Sequence, residues 1–168
     1  MKIKENKGFS LLELLVVIAV LSLLMAIAIP LLLGFRDKSR MAVFLRAAKE
    51  SKADLQHWLD DAYNPSGRNL SPLVSVDCGS VTAGELLSVG VATKYAYCRN
   101  IVLHEQSPWT GDIPLWIVKN DVTGISSYTG QIVLVHKYNT SNSTWASSVH
   151  IYAIGLDGTV LYEDEAKY

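Results

Sequence analysis

The stretch Lys7-Gly8-Phe9-Ser10-Leu11-Leu12-Glu13, followed by an aliphatic run over residues 14–33, decides the fold. From Phe9 to Phe35, 22 of 27 residues are hydrophobic, and residues 14–33 are interrupted only by Ser22 and Pro30. At 1.5 Å per residue those twenty residues span roughly 30 Å, the thickness of a bilayer core. A cleaved secretory signal would have a shorter apolar core, of about 7 to 15 residues, ending in a small-residue site. Here Ala26-Ile27-Ala28 is followed by more apolar sequence, and the run ends in Gly34-Phe35-Arg36-Asp37-Lys38. A plain anchor explains the length but not Glu13, a carboxylate near the start of a span, where a charge costs a few kcal/mol unless it is compensated.

Beyond that run, the remainder of the 168 residues is ordinary. All four Trp and all eight Tyr lie beyond Ala53, which places the aromatic core after the apolar segment. Residues 1–8 carry three Lys and one Glu, net +2, whereas residues 9–168 carry 12 basic and 15 acidic residues, net −3. That balance disfavours a nucleic-acid partner, and the overall hydrophobicity excludes a disordered chain. The chain reads as one greasy segment joined to one soluble-like domain.

The Gly-Phe junction behind a basic leader, the acid at Glu13, the twenty-residue run and Pro30 together resemble the amino-terminal signature of type IV pilins and type II secretion pseudopilins. The resemblance implies that residues 1–8 are a leader cut between Gly8 and Phe9 by a membrane-embedded prepilin peptidase, after which Phe9 is N-methylated. It implies that Glu13 pairs with the terminal amine of a neighbouring subunit, which would supply its missing counter-charge. It implies further partners in an inner-membrane assembly platform and ATPase, and above all in other copies of the chain. The subunit would wait as a single-pass inner-membrane protein before joining an extracellular pilus or a periplasmic pseudopilus.

Charge topology points the other way. Arg36, Lys38, Arg40, Arg46, Lys49 and Lys52 follow the span closely, and counted alone they favour a cytoplasmic carboxyl terminus. The family orientation overrides that count, and Asp37, Glu50 and Asp54 lie at helical spacings suited to pairing with these cations, as in Glu50 with Arg46.

Met41, Phe44, Leu45, Ala48, Leu55, Trp58, Leu59 and Ala62 recur at spacings of three, four and seven, so the helix is expected to continue as an amphipathic half. It should stop at the breakers Tyr63-Asn64-Pro65-Ser66-Gly67. Pro30 should kink or locally melt it. The expected architecture is α+β: a long amino-terminal helix, half transmembrane, packed on an antiparallel sheet. Residues 9–35 form the membrane or filament-core half, 36–63 the amphipathic half, and 64–168 the exported domain, with a connection over 64–110 and a sheet over 111–168.

Within the connection, Thr82-Ala83-Gly84-Glu85 has capping-box spacing and predicts a short helix that Gly90 ends. Cys78 and Cys98, the two cysteines, flank it. In an exported domain they are expected to form a disulfide closing a 20-residue separation; buried thiols are the alternative, and a metal pair lacks nearby His. Strands are expected over 113–119, 131–138, 144–154 and 159–163, and their short connections predict an antiparallel meander. Residues 131–138 alternate poorly, which allows burial on both faces.

Ser107-Pro108-Trp109-Thr110-Gly111-Asp112 and Gly155-Leu156-Asp157-Gly158 resemble loops that bind calcium in major pseudopilins. Only Asp112, Asp157 and Asp121 stand out as donors, against the six to eight oxygens calcium wants, so turn residues are the simpler reading. No other cofactor is indicated. His57, His104, His136 and His150 are scattered on what reads as helix or strand surface and form no nucleophile-base or metal spacing. The expected function is a structural subunit of a type IV pilus, not an enzyme. The alternatives are a type II secretion pseudopilin and, from a different class, a membrane-anchored extracytoplasmic binding module that never polymerises.

Overall fold

The computed structural model describes residues 9–63, 78, 90–138 and 146–168. By internal contacts the chain divides into two compact units, one up to Ser39 and one from Arg40 on.

Helix α1 runs Leu11–Tyr63. Leu and Ala, strong helix formers, dominate it, and it stops just before Asn64-Pro65, where a proline cannot continue the ladder. The helix does not melt at Pro30: the backbone stays helical through it. Proline removes one donor and leaves the Ala26 carbonyl without its usual partner, a local loss that the turns on either side tolerate.

In the second unit the amphipathic stripe closes a core. Phe44, Ala48, Leu55, Trp58, Leu59 and Ala62 are buried against one sheet face, formed by Trp116, Ile132, Leu134, Val149, Ile151, Ala153 and Ala166. Between them sits helix α2, Val91–Tyr97, which contributes Val91, Ala92, Tyr95 and Ala96 and continues into a π-helical turn over Cys98–Val102. The aromatic rings meet edge to face, Trp58 on Tyr95 at 5.5 Å and Tyr95 on Trp116 at 5.3 Å, the favoured geometry for such pairs. The capping-box residues 82–85 lie outside the described residues. Gly90 opens α2 where it was expected to end a helix, with φ at +93°. A Cβ there would also come within 2.8 Å of the His136 ring, so glycine is required twice over.

The sheet of the described residues has four strands in the order β1 (Trp116–Lys119), β2 (Ile132–Tyr138), β3 (Ala146–Ile154) and β4 (Val160–Lys167). β2, β3 and β4 pair antiparallel as expected, but β1 runs parallel to β2, so the sheet is mixed rather than a meander. The cause is the segment between them. Parallel neighbours need a crossover of about a dozen residues, and residues 120–131 provide it through a 3-10 turn at Ile125–Ser127. Crossing the outer face, this segment lays Ile125 and Tyr128 over Val133, Val135, Tyr152 and Ile154. β2 is thereby buried on both sides from Ile132 to His136, which explains its poor alternation.

Each outer strand is tied by a side-chain amide at one rung. On β1, Asn100 donates to the Trp116 carbonyl (2.7 Å) and accepts from the Trp116 N–H (3.1 Å). On β4, Gln56 accepts from the Lys167 N–H (2.9 Å) and donates to the Lys167 carbonyl. β4 is held to α1 also by Lys52 on Asp164 at 2.7 Å and by Tyr63 stacked on Tyr168.

Candidate processing and assembly site

The helix start is built by two short side chains. Ser10 precedes α1, and its Oγ accepts from the Leu12 N–H (3.3 Å) while the Glu13 carboxylate accepts from the Ser10 N–H (3.1 Å). This reciprocal arrangement is a capping box: two amide donors that the helix cannot satisfy are bonded by the cap and by the acid three residues on. A negative charge in the first turn is also favoured by the helix dipole. Glu13 therefore has a bond inside its own chain, one turn from Phe9, and does not depend on a second subunit for its first contact. The sequence reading missed Ser10. Its readable signal is the Ser-x-x-Glu spacing.

Phe9 is exposed, and Gly8 lies outside the described residues. From Leu11 to Ser39 no side chain is buried. Among the described residues, α1 is long and apolar enough to cross a membrane, by length and composition. Its polar interruption is silenced locally, because the Ser22 hydroxyl donates to the Ile18 carbonyl (2.7 Å), the usual way a serine sits in an apolar helix.

Cys78 and Cys98 are joined by a disulfide with Cα atoms 5.3 Å apart. Cys98 is buried and begins the π-helical turn. Beside it Arg99 pairs with Glu105 (3.1 Å), approaches Asp54 (4.0 Å) and lies over the Tyr95 and Trp116 rings. Glu105 accepts from the Trp116 indole N–H (2.6 Å) and Asp54 from the Tyr95 hydroxyl (3.2 Å). Burial, and then the neighbouring acids, push the Tyr95 hydroxyl well above its ordinary range. Asp54, expected to balance the basic residues of α1, is thus used by α2 and the π-helical turn, whereas Arg46 does take Glu50 at 2.7 Å.

The calcium candidates do not converge. Asp157 accepts from the Thr159 N–H (3.0 Å) and hydroxyl (2.7 Å), closing the β3–β4 turn, and the Thr159 hydroxyl is the main cause of its lowered pKa. Asp112 is exposed on a separate loop. No group of three or more metal-ligating side chains comes together among the described residues. Of the histidines, His57 and His104 are exposed, but His136 is buried, against the expectation of a surface position. Its Nε2 faces the Thr93 hydroxyl at 3.3 Å, and burial lowers its pKa. His150 meets Glu165 at 2.8 Å on the outer sheet face.

Comparison with known proteins places the same segment in focus. Residues 3–29 match the family model described as the prokaryotic N-terminal methylation motif. Over 95 residues the chain is 32% identical to the type IV wide pilus major component PilA4 of Thermus thermophilus, an alignment covering 56% of this chain and 72% of that protein. No solved structure matches the chain.

Proposed function

We propose that this chain, which belongs to the type IV pilin family, is a structural subunit of a type IV pilus filament. Residues 1–8 are the leader that prepilin peptidase removes, cutting between Gly8 and Phe9, and Phe9 is then N-methylated. Residues 9–35 hold the subunit in the inner membrane and afterwards form the filament core; residues 36–63 and 64–168 make the exported body.

The observation that carries this reading is a helix whose first half keeps its large apolar side chains exposed while placing one carboxylate, Glu13, a turn from Phe9. Apolar surface of that extent is stable only in a bilayer or against other such helices. Cleavage would put an ammonium on Phe9 next to the Ser10 N–H that Glu13 already accepts from. The capping box then keeps the carboxylate near its own amine until the amine of a neighbouring subunit competes for it. An assembly platform and its ATPase would lift the subunit from the membrane into the growing end. Pro30 would let the helix yield locally during that transfer.

The pseudopilin alternative draws on the Ser107-Pro108-Trp109 and Gly155-Leu156-Asp157-Gly158 loops, and the use of Asp157 in a turn weakens it. The test is the mass of the native amino terminus. Methylated Phe9 is expected; retention of Met1 or cleavage after Ala28 would overturn the reading. Negative-stain microscopy of cells carrying Glu13→Ala should then show few or no filaments, and normal filaments would refute the pairing role.

A further inference from the structure

The cations that follow the apolar run are left unexplained by filament assembly. Arg36, Asp37, Lys38 and Arg40 carry three positive charges and one negative within little more than one helical turn. Of the acids that sequence spacing offered to the basic residues of α1, Asp37 makes no ion pair among the described residues and the others are engaged further along the chain. Glu50 takes Arg46, Asp164 takes Lys52, and Asp54 faces Tyr95 and Arg99. Among the described residues, Arg36, Lys38 and Arg40 have no ion pair or side-chain hydrogen bond. Arg36 and Lys38 are exposed.

Their depth identifies what they face. Arg36 lies three residues past Leu33 and Arg40 seven, about 4.5 and 10 Å further along the axis. The headgroup layer reaches roughly 5–7.5 Å outside the hydrocarbon core on each side, so Arg36 lies within it and Arg40 a few ångströms beyond, within reach of a long side chain. Arg36 and Arg40, four apart, fall on one side of the helix and Lys38 about half a turn round, so the charges encircle it. Long basic side chains at this level extend along the interface and bring their charge to lipid phosphates.

We propose that Arg36, Lys38 and Arg40 form a collar that gathers anionic phospholipid headgroups around the membrane-stored subunit, on the side where the span ends. This rests on the reading of residues 14–33 as membrane-spanning. It gives a role to the charges that contradict the positive-inside count: they mark a lipid contact rather than the cytoplasmic side. A basic residue near an anionic surface strengthens attraction about fivefold, so a net charge of two should enrich anionic lipid about tenfold or more around the helix.

The full chain reconstituted in phosphatidylcholine nanodiscs containing a minority of phosphatidylglycerol tests this, with native mass spectrometry of the lipids retained on gentle release. Wild type is expected to retain phosphatidylglycerol about tenfold above its bulk share. The preference should vanish in R36Q/K38Q/R40Q and in about 1 M salt, where screening acts beyond about 3 Å, and persist in the charge-preserving R36K/R40K. Equal retention of both lipids by wild type, or an undiminished preference in the triple Gln variant, would overturn the collar. So would collar-dependent pairing of two copies per disc without lipid preference. Protease protection in pure phosphatidylcholine discs reports the span separately: failure to insert there overturns the membrane reading itself, whereas insertion without lipid preference overturns the collar alone.

Discussion

The two halves of helix α1 carry their apolar residues to opposite fates. From Leu11 to Leu33 every Leu, Ile and Val is at least 47% exposed, while Leu55, Leu59 and Ala62 are 0% exposed. Hydrophobicity alone therefore does not tell which half belongs to the fold. What differs is periodicity. The second half alternates apolar and charged residues with a helical repeat and so has one face for its own sheet. The first half is apolar all round, and among the described residues nothing buries that surface.

The strongest way to break this contrast is at Leu59. Leu59→Ala should cost the domain about 2–5 kcal/mol, read by denaturant unfolding of the full chain in micelles through tryptophan fluorescence, since every Trp lies beyond Ala53. Replacing Cys78 and Cys98 by Ser should cost about 3 kcal/mol on the chain-entropy model, and reduction of the wild type should match it. Gln56→Ala, which frees the β4 rung at Lys167, should cost about 1 kcal/mol.

A smaller effect comes with acid. Asp164 is held down to about 2, chiefly by the Lys52 hydrogen bond. Glu165 reaches about 2 as well; burial opposes the shift, but hydrogen bonds from Lys167 and Ser148 and the charge of His150 outweigh it. Both folded-state values lie below the unfolded ones near 4. Their stabilisation is complete above about pH 4 and lost as pH falls toward 2, and Lys52→Met should flatten the Asp164 part of that slope. Both groups sit near solvent, so each contributes no more than about 1 kcal/mol. At the bottom of the range, Leu24→Ala should shift domain unfolding by less than about 0.5 kcal/mol. A loss as large as that of Leu59→Ala would erase the distinction between the halves.

Much of this was legible residue by residue. The stripe from Phe44 to Ala62 faces the core as its spacing required, and α1 ends at Tyr63 where the breakers begin. The strands lie within a few residues of the alternating runs, except that β4 extends to Lys167. The parallel pairing of β1 was not legible, because it depends on where residues 120–131 lead the chain rather than on any strand residue. Helix α2 was hidden by its own burial: with Val91, Ala92, Tyr95 and Ala96 all inside, its seven residues show little polar contrast. At the candidate site Glu13 stood out by its charge, but attention to a missing partner obscured the nearer one at Ser10. His136 read as surface, but on β2 it shares the face of Ile132 and Leu134 and packs there against Gly90 and Thr93 at the start of helix α2, an element the sequence did not reveal.

The two amides at the sheet margins have a consequence for life among many copies. A bare strand edge is a template on which another chain can polymerise in the wrong direction. Asn100 and Gln56 each use a donor and an acceptor to occupy one rung, at Trp116 where β1 begins and at Lys167 where β4 ends. In the proposed filament, where copies crowd together, two rungs closed in this way leave fewer places for neighbouring sheets to pair.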